Sequence, residues 1–337
     1  MTRAAVVILT YNSRAFLDDC LASLARLTHP AAVVVADNAS TDGTLDHIAA
    51  HWPAVRTLAL GQNWGFAEGY NRALAQVDAD WFVLLNPDAA LQPNWLATLL
   101  AFAEREPQAA ILGGKLLFSG AERRVQAAGA CLTDAGTAFE IGWGETDHGQ
   151  YDQARPTASI PGAAMLIRAP VFRALGGFDG EYFTYLEDVD LCWRAWLAGH
   201  AIWYVPQAEA RHHFGGAAGG RASAFRIRWM QRNRYANMVK HLEAGTLWQG
   251  ALTSAAYDLY RVLEFSARGQ WAGLGALAAG TLDFARALPG LLAQRRALQP
   301  TRRLRDADLR ARGLLVPALT AWREYRRLAG LAKSREA

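Results

Sequence analysis

The chain has 337 residues and a mass of 36.8 kDa, with 52% hydrophobic, 20% charged and 10% aromatic residues. That is enough apolar surface to offset the entropy of ordering, which excludes an intrinsically disordered chain. Three widely spaced cysteines (Cys20, Cys131, Cys192) exclude a disulfide scaffold and a thiolate zinc site, and fit a reduced, cytoplasmic compartment. The net charge of +4 hides an asymmetry. Residues 1–215 hold 14 of the 35 basic and 23 of the 31 acidic side chains, a balance of −9, and residues 216–337 hold the rest, a balance of +13. An acidic first part and a basic last part point to two different tasks.

The first predicted element is a strand, Ala5–Leu9, too short and too poor in basic flanks to be a signal peptide. Strands at Ala32–Ala36, Val55–Leu60 and Trp81–Leu85 alternate with helices at Ala15–Leu27, Thr41–His51, Phe66–Val77 and Pro93–Glu104. This alternation predicts an α/β fold with a mostly parallel sheet and helices on both faces. Residues 105–160 are Gly-rich and irregular, with a weak strand signal at Ile111–Leu117. A strand at Ala163–Ile167, a short helix at Pro170–Leu175, a helix from Glu187 to Leu197 ended by Gly199, and a strand at Ala201–Val205 follow. Gly215–Gly220 reads as a flexible turn, which sets a boundary near residue 220 between a region 1–220 and a basic, all-helical region 221–337. The longest apolar window, Trp271 to Leu292, contains Asp283, Arg286 and Pro289, so no membrane-spanning helix is predicted.

In an open α/β sheet, ligands bind beyond the carboxyl ends of the strands. Four predicted strand ends carry polar groups: Thr10-Tyr11-Asn12, Asp37-Asn38, Asn63 and Asn86-Pro87-Asp88. Helix capping accounts for some of these residues singly but poorly for all four on one rim. The usual phosphate devices are missing, since neither a P-loop nor a G-x-G-x-x-G turn is present. Lys115 is the only lysine before residue 240. A bound diphosphate would therefore be met by arginine, helix amino termini or a divalent cation, with Asp88 as the best-placed hard oxygen ligand. Glu187, Asp188 and Asp190 crowd one helix start, where mutual repulsion can raise one pKa and produce a general base. His212-His213 read as a surface-loop pair able to join Asp88 on a metal.

These segments together resemble the family 2 glycosyltransferases of the GT-A fold, in particular their rhamnosyltransferase-like branch. The resemblance rests on Val7–Asn12, Val35–Gly43, Asn63–Asn71, Leu84–Ala89, Gly162–Arg168, Gly176–Asp179, Glu187–Leu191 and His212–Gly216, which occur in the family's order across about residues 4–220. It implies a GT-A (Rossmann-like) mixed sheet followed by a helical appendage. It further implies inverting, metal-dependent transfer of a sugar from a nucleotide-diphosphate sugar to a glycan or polyprenyl-diphosphate-linked acceptor in bacterial surface polysaccharide assembly. By position, Thr10, Tyr11, Asn12, Asp37 and Asn63 would hold the nucleotide. Asp88 and His213, with His212 as the alternative, would hold Mg²⁺ or Mn²⁺. Asn86 stands where the family's D-x-D motif has its first acid, so the metal has one fewer charged ligand. Asp188 would be the catalytic base, supported by Glu187. Gly162, Ala163 and Asp190 would place the acceptor, Asp190 alternatively serving helix geometry. The branch favours a deoxythymidine-diphosphate rhamnose donor, with UDP- and GDP-sugars open.

The arginine clusters Arg226/Arg228/Arg232/Arg234, Arg295-Arg296, Arg302-Arg303-Arg305 and Arg323/Arg326/Arg327 lie between Leu- and Trp-rich helical stretches. They read either as the solvated face of a bundle or as a surface for an anionic membrane, placing the protein peripherally on the inner face of the cell membrane. No nucleic-acid-binding motif accompanies the charge. The different-class alternative is an inactive GT-A-like membrane scaffold. A nicotinamide-dependent enzyme is disfavoured by the missing glycine fingerprint.

Overall fold

A computed structural model describes residues 2–214 and 223–323. The predicted Gly215–Gly220 turn, the boundary near residue 220, and Arg326 and Arg327 lie outside the described residues. The first half of the chain runs β1 (Ala4–Thr10), α1 (Arg14–Leu24), β2 (Ala32–Asp37), α2 (Thr44–His51), β3 (Arg56–Ala59), α3 (Gly65–Leu74), β4 (Trp81–Leu85), β5 (Ala89–Leu91), α4 (Trp95–Arg105) and β6 (Ala109–Phe118). Next come β7 (Val125–Ala127), β8 (Ala130–Thr133), β9 (Ala138–Glu140), β10 (Arg155–Pro156), β11 (Ala164–Arg168), α5 (Ala169–Ala174), α6 (Glu187–Leu197) and β12 (Ala201–His212). The last part holds α7 (Ala224–His241), α8 (Ala244–Ala267), α9 (Trp271–Leu298), α10 (Asp306–Ala311) and β13 (Leu315–Val316).

The main sheet has the order β3-β2-β1-β4-β11-β6-β12-β10. Strands β3, β2, β1 and β4 are parallel, and β11 runs antiparallel between β4 and β6. The sheet is therefore mixed. Strand β1 alternates strictly, so that Ala5 and Val7 face one core while Ala4, Val6 and Ile8 face the other. On β4, Phe82 and Leu84 point the first way and Trp81, Val83 and Leu85 the second. Each fully buried Val, Ile, Leu or Phe side chain among them is worth about 1.5–3 kcal/mol. This two-sided burial explains why the strands read as near-continuous apolar runs. Helices α1 and α4 cover one face; α3, α5 and α6 cover the other.

Two predicted elements are longer in the structure. The weak signal at Ile111–Leu117 belongs to the ten-residue central strand β6. The strand predicted to stop at Val205 continues to His212, with a register shift between Tyr204 and Glu209. Pro206 and the polar Gln207 and Glu209 interrupt the apolar pattern, and the irregularity absorbs them without ending the strand. The region expected to be all helical also contributes β13, which pairs in parallel with β8. Its first helix is not a detached appendage, because Ala236, Met238 and Leu242 join the core that the sheet shares with α3 and α6. Among the described residues, no helix is long and apolar enough to cross a membrane.

Candidate active site

The carboxyl ends of β1 and β2 meet at Thr10 and Asp37, which are register partners. Thr10 is fully buried and Asp37 is 2% exposed, yet Thr10 Oγ1 and Asp37 Oδ1 have no hydrogen-bond partner. The other Asp37 oxygen accepts from the Ser40 amide at 3.0 Å. Orphaned buried oxygens cost about 1–3 kcal/mol each, so two at adjacent strand ends mark a place where a ligand can donate hydrogen bonds. Tyr11 beside them is exposed. Asn12 adopts a left-handed backbone (φ 51°), and its side-chain oxygen accepts from the Thr41 amide at 2.7 Å, tying the β1 loop to the β2 loop. Asn63 Oδ1 accepts from Gly65 N at 2.9 Å and shapes the turn into α3. Gly65 itself (φ 73°) lies so close to Phe183 that a Cβ would collide with that residue's carbonyl.

After β4, the Asn86-Pro87-Asp88 turn places a buried carboxylate beside β12. Asp88 Oδ1 lies 3.1 Å from His212 Nε2, and the His213 amide donates to the Asp88 carbonyl at 3.0 Å. His212 is not on a surface loop as predicted; it ends β12 and is 7% exposed, because the strand runs through Pro206. Its Nδ1 contacts the buried Gln126 amide at 3.0–3.1 Å, a contact that orients the ring. The exposed His213 ring packs on Phe16, with centroids 5.7 Å apart. It lines a cavity of about 340 Å³ with Asp88, Arg26 and Arg211. Among the described residues, no three His, Cys, Asp or Glu side chains form a metal cluster. The donor set at Asp88, one carboxylate and adjacent imidazoles, fits a hard divalent cation that takes its remaining ligands from diphosphate and water. Lys115 does not enter this cleft; it is buried and paired with Asp147 and Asp152.

The acidic helix start divides into three roles. Asp188 is partly exposed, and its carboxylate accepts from Gly162 N and Val189 N, both at 2.8 Å. Burial raises its pKa, opposed by those two amides. The next residue, Ala163, accepts from Asn86 N at 3.0 Å, so Gly162 and Ala163 link the Asp188 carboxylate to the Asp88 turn. Glu187 is buried, its Oε2 has no partner, and burial followed by the neighbouring Asp188 charge pushes its pKa well above the usual carboxylate range. That shift favours the protonated form of Glu187.

Asp190 is not at the cleft surface, where acceptor placement would require it. It is completely buried, and Arg194, Lys240 and His241 occupy its oxygens. Burial alone would raise its pKa; Arg194, then Lys240 and His241, overcome that and hold it well below the ordinary value. At i+3 from Glu187 on α6, its side chain points inward and ties α6 to α7 through Lys240 and His241.

Asn233 of α7, which no sequence motif marks, braces the segment before the acidic helix. Phe183, Tyr185 and Leu186, immediately before the acidic helix, have φ values of 56°, 68° and 67°. Such conformations cost about 1–3 kcal/mol each without glycine, and persist only where surroundings impose them. Here the Asn233 side-chain amide donates to the carbonyls of Tyr182, Thr184 and Tyr185 at 2.7–3.0 Å. The Phe66 amide donates to the Phe183 carbonyl, and the Phe183 ring stacks on Trp229 at 5.1 Å. Of the cluster Arg226/Arg228/Arg232/Arg234, expected on a solvated or membrane-facing surface, Arg232 and Arg234 are buried, and Arg234 pairs with Asp258. The left-handed segment's carbonyls turn toward the helix that follows the His pair, a proximity that only the fold creates.

The mixed sheet, the polar rim at its carboxyl edge and the carboxylate pair at α6 define a glycosyltransferase of the GT-A fold. The sequence model of glycosyl transferase family 2 matches residues 5–175, and the chain belongs to that family. It is 35% identical over 230 residues to the N-acetylglucosaminyl-diphospho-decaprenol L-rhamnosyltransferase of Mycobacterium tuberculosis, covering 62% of this chain and 75% of that protein. It is 27% identical over 221 residues to the rhamnosyltransferase WbbL of Escherichia coli, covering 62% and 82%. Among solved structures, residues 1–349 of S. aureus TarS superpose with a TM-score of 0.52 at 18% identity, covering 88% of this chain and 87% of that one. GalNAc-T7, crystallised with UDP, GalNAc and Mn²⁺, gives a TM-score of 0.55 at 14% identity, covering 71% and 51%. The two structural likenesses bear on the fold alone.

Proposed function

We propose that the enzyme transfers rhamnose from a nucleotide-diphosphate sugar to a glycan or polyprenyl-diphosphate-linked acceptor in bacterial surface polysaccharide assembly, with inversion at the anomeric carbon. The names of the M. tuberculosis and E. coli relatives support the sugar, and the former supports a lipid-diphosphate acceptor. The observation that carries the reading is the pair of unpartnered oxygens on Thr10 and Asp37, on the same rim as Asp88. A nucleoside supplies the missing donors, with Tyr11 beside its base and Asn12 and Asn63 holding the flanking loops.

Asp88 and His213 would hold Mg²⁺ or Mn²⁺, because the His212 ring is already engaged by Asp88 and Gln126. The cation supplies positive charge to the departing diphosphate. Asp188 takes the proton from the acceptor hydroxyl as that oxygen forms its bond to the anomeric carbon and the bond to the nucleoside diphosphate breaks. Glu187, kept neutral, leaves that proton to Asp188. Gly162 N fixes the Asp188 carboxylate, and with Ala163 it borders the acceptor position. In this reading residues 1–220 supply the groups that touch donor and acceptor, α7 holds the segment before Glu187 in place, and the rest of residues 221–337 attaches the enzyme to the cytoplasmic face of an anionic membrane, with no role in nucleic-acid binding.

The test is thermal denaturation with nucleoside diphosphates and Mn²⁺. A metal-dependent rise in Tm is expected for the cognate nucleotide and its loss in Asp88→Ala. Absence of any shift or turnover with dTDP-, UDP- and GDP-sugars would overturn the enzymatic reading in favour of a scaffold.

A further inference from the structure

The basic region carries less free charge than its composition suggests. Arg232, Arg234 and Lys240 are buried in ion pairs, Arg302 pairs with Asp306, and Arg295 donates to the carbonyls of Val239 and Leu242. What the region does expose is an apolar helix face. On α8, Trp248, Leu252, Leu259 and Leu263 are 73%, 72%, 61% and 61% exposed. Their spacing of 4, 7 and 4 puts them on one side of the helix, and Ala255 and Ala256, also exposed, fill the gap. No charged residue interrupts this stripe, which is about 22 Å long at the helical rise. Trp271, 67% exposed, follows at the start of α9.

Exposed cations follow the stripe in sequence, one at the α8 C-cap and one on α9. Arg268 and Arg286 are 64% and 69% exposed, while their partners Glu264 and Asp283 are only 23% and 20% exposed. Helix α8 runs antiparallel to α7: Ser254 contacts Met238, and Asp258 contacts Arg234 and Gln231. The Leu263 end of the stripe therefore lies at the end of α7 where Phe225 and Trp229 pack on Phe183, next to the base-bearing helix.

We propose that this α8 face, with Trp271, seats in the headgroup–acyl boundary of an anionic lipid leaflet. The helix lies in the membrane plane, apolar stripe inward, with Arg268 and Arg286 at the phosphates. It rests on the functional reading above, and assigns membrane attachment to apolar insertion, supported by the arginines that follow the stripe. Tryptophans at the start of α8 and of α9, an uncharged stripe between them and exposed arginines after it match a lipid interface, which offers apolar depth and negative charge together.

Full-length enzyme is floated with vesicles of phosphatidylglycerol and phosphatidylethanolamine, at low salt and at about 0.5 M salt, where charge attraction is screened. Wild type is expected to stay bound at high salt. Trp248→Ser/Leu252→Ser/Leu259→Ser/Leu263→Ser is expected to weaken binding at least about tenfold, with unchanged Tm and unchanged transfer to a water-soluble acceptor analogue. Arg268→Gln/Arg286→Gln is expected to lower binding at low salt only. Vesicle binding by the quadruple variant equal to wild type overturns the proposal. So does a wild-type dimer that the same substitutions dissociate without any vesicle binding, which makes the face a contact between copies. Bound vesicles without turnover would instead count against the functional reading and leave this surface standing.

Discussion

Replacing His241 with Gln is expected to change how stability depends on pH. His241 is fully buried, its Nε2 is 2.9 Å from Asp190, and its ring stacks on Trp193. Burial drives its pKa down from 6.5 to about 4, with Asp190 opposing. Asp190 already has Lys240 and Arg194, so the imidazole stays neutral and donates its proton in a hydrogen bond. The folded state thus binds fewer protons at this residue than the unfolded state. Its stability is complete above the unfolded pKa near 6.5 and is lost as pH falls through the folded pKa. The full difference is about 3 kcal/mol, of which about 2 kcal/mol is lost by pH 5. Asp190, held below its ordinary value, contributes in a separate, more acidic window. Urea unfolding of wild type and His241→Gln between pH 7 and 5 reads the effect, since Gln offers a donor but cannot titrate. Whatever constant offset the substitution introduces, the wild-type curve must fall more steeply by about 2 kcal/mol. Parallel curves would refute a buried neutral imidazole.

Asp188→Asn is expected to lower turnover by about 10²–10⁴-fold while nucleotide-induced stabilisation persists, and retained turnover would remove the base assignment. In wild type, turnover should fall as pH drops through the raised Asp188 pKa, because protonation removes the acceptor for the hydroxyl proton. That limb should vanish from the residual rate of Asp188→Asn. Glu187→Gln, which copies the neutral acid, should change unfolding free energy at pH 7 by less than about 1 kcal/mol, and a large loss would mean that Glu187 is charged. Asn233→Ala removes the donor to three carbonyls of the left-handed segment and should lower kcat more than it weakens donor binding, as measured by kinetics beside nucleotide titration.

Much of the architecture was legible in the sequence because burial on two sides writes itself as apolar runs. The strands around Val7, Val34 and Val83 and the helices between them were placed to within a few residues. So was the polar rim, since Thr10, Asp37 and Asp88 directly follow such runs. Charge was the weaker guide. The sequence records that Arg232, Arg234 and Lys240 are basic, but only packing decided that they are buried with their acidic partners while Arg268 and Arg286 lie exposed over theirs. The three acids at α6 are alike in one dimension. Their surroundings differ because the helix carries each to a different neighbour: Glu187 into a buried place where its Oε2 has no partner, Asp188 to the Gly162 amide, and Asp190 onto Lys240 of a helix fifty residues later. Local pattern determines which segments must be buried. Which polar groups meet across those segments depends on long-range contacts that no local spacing encodes.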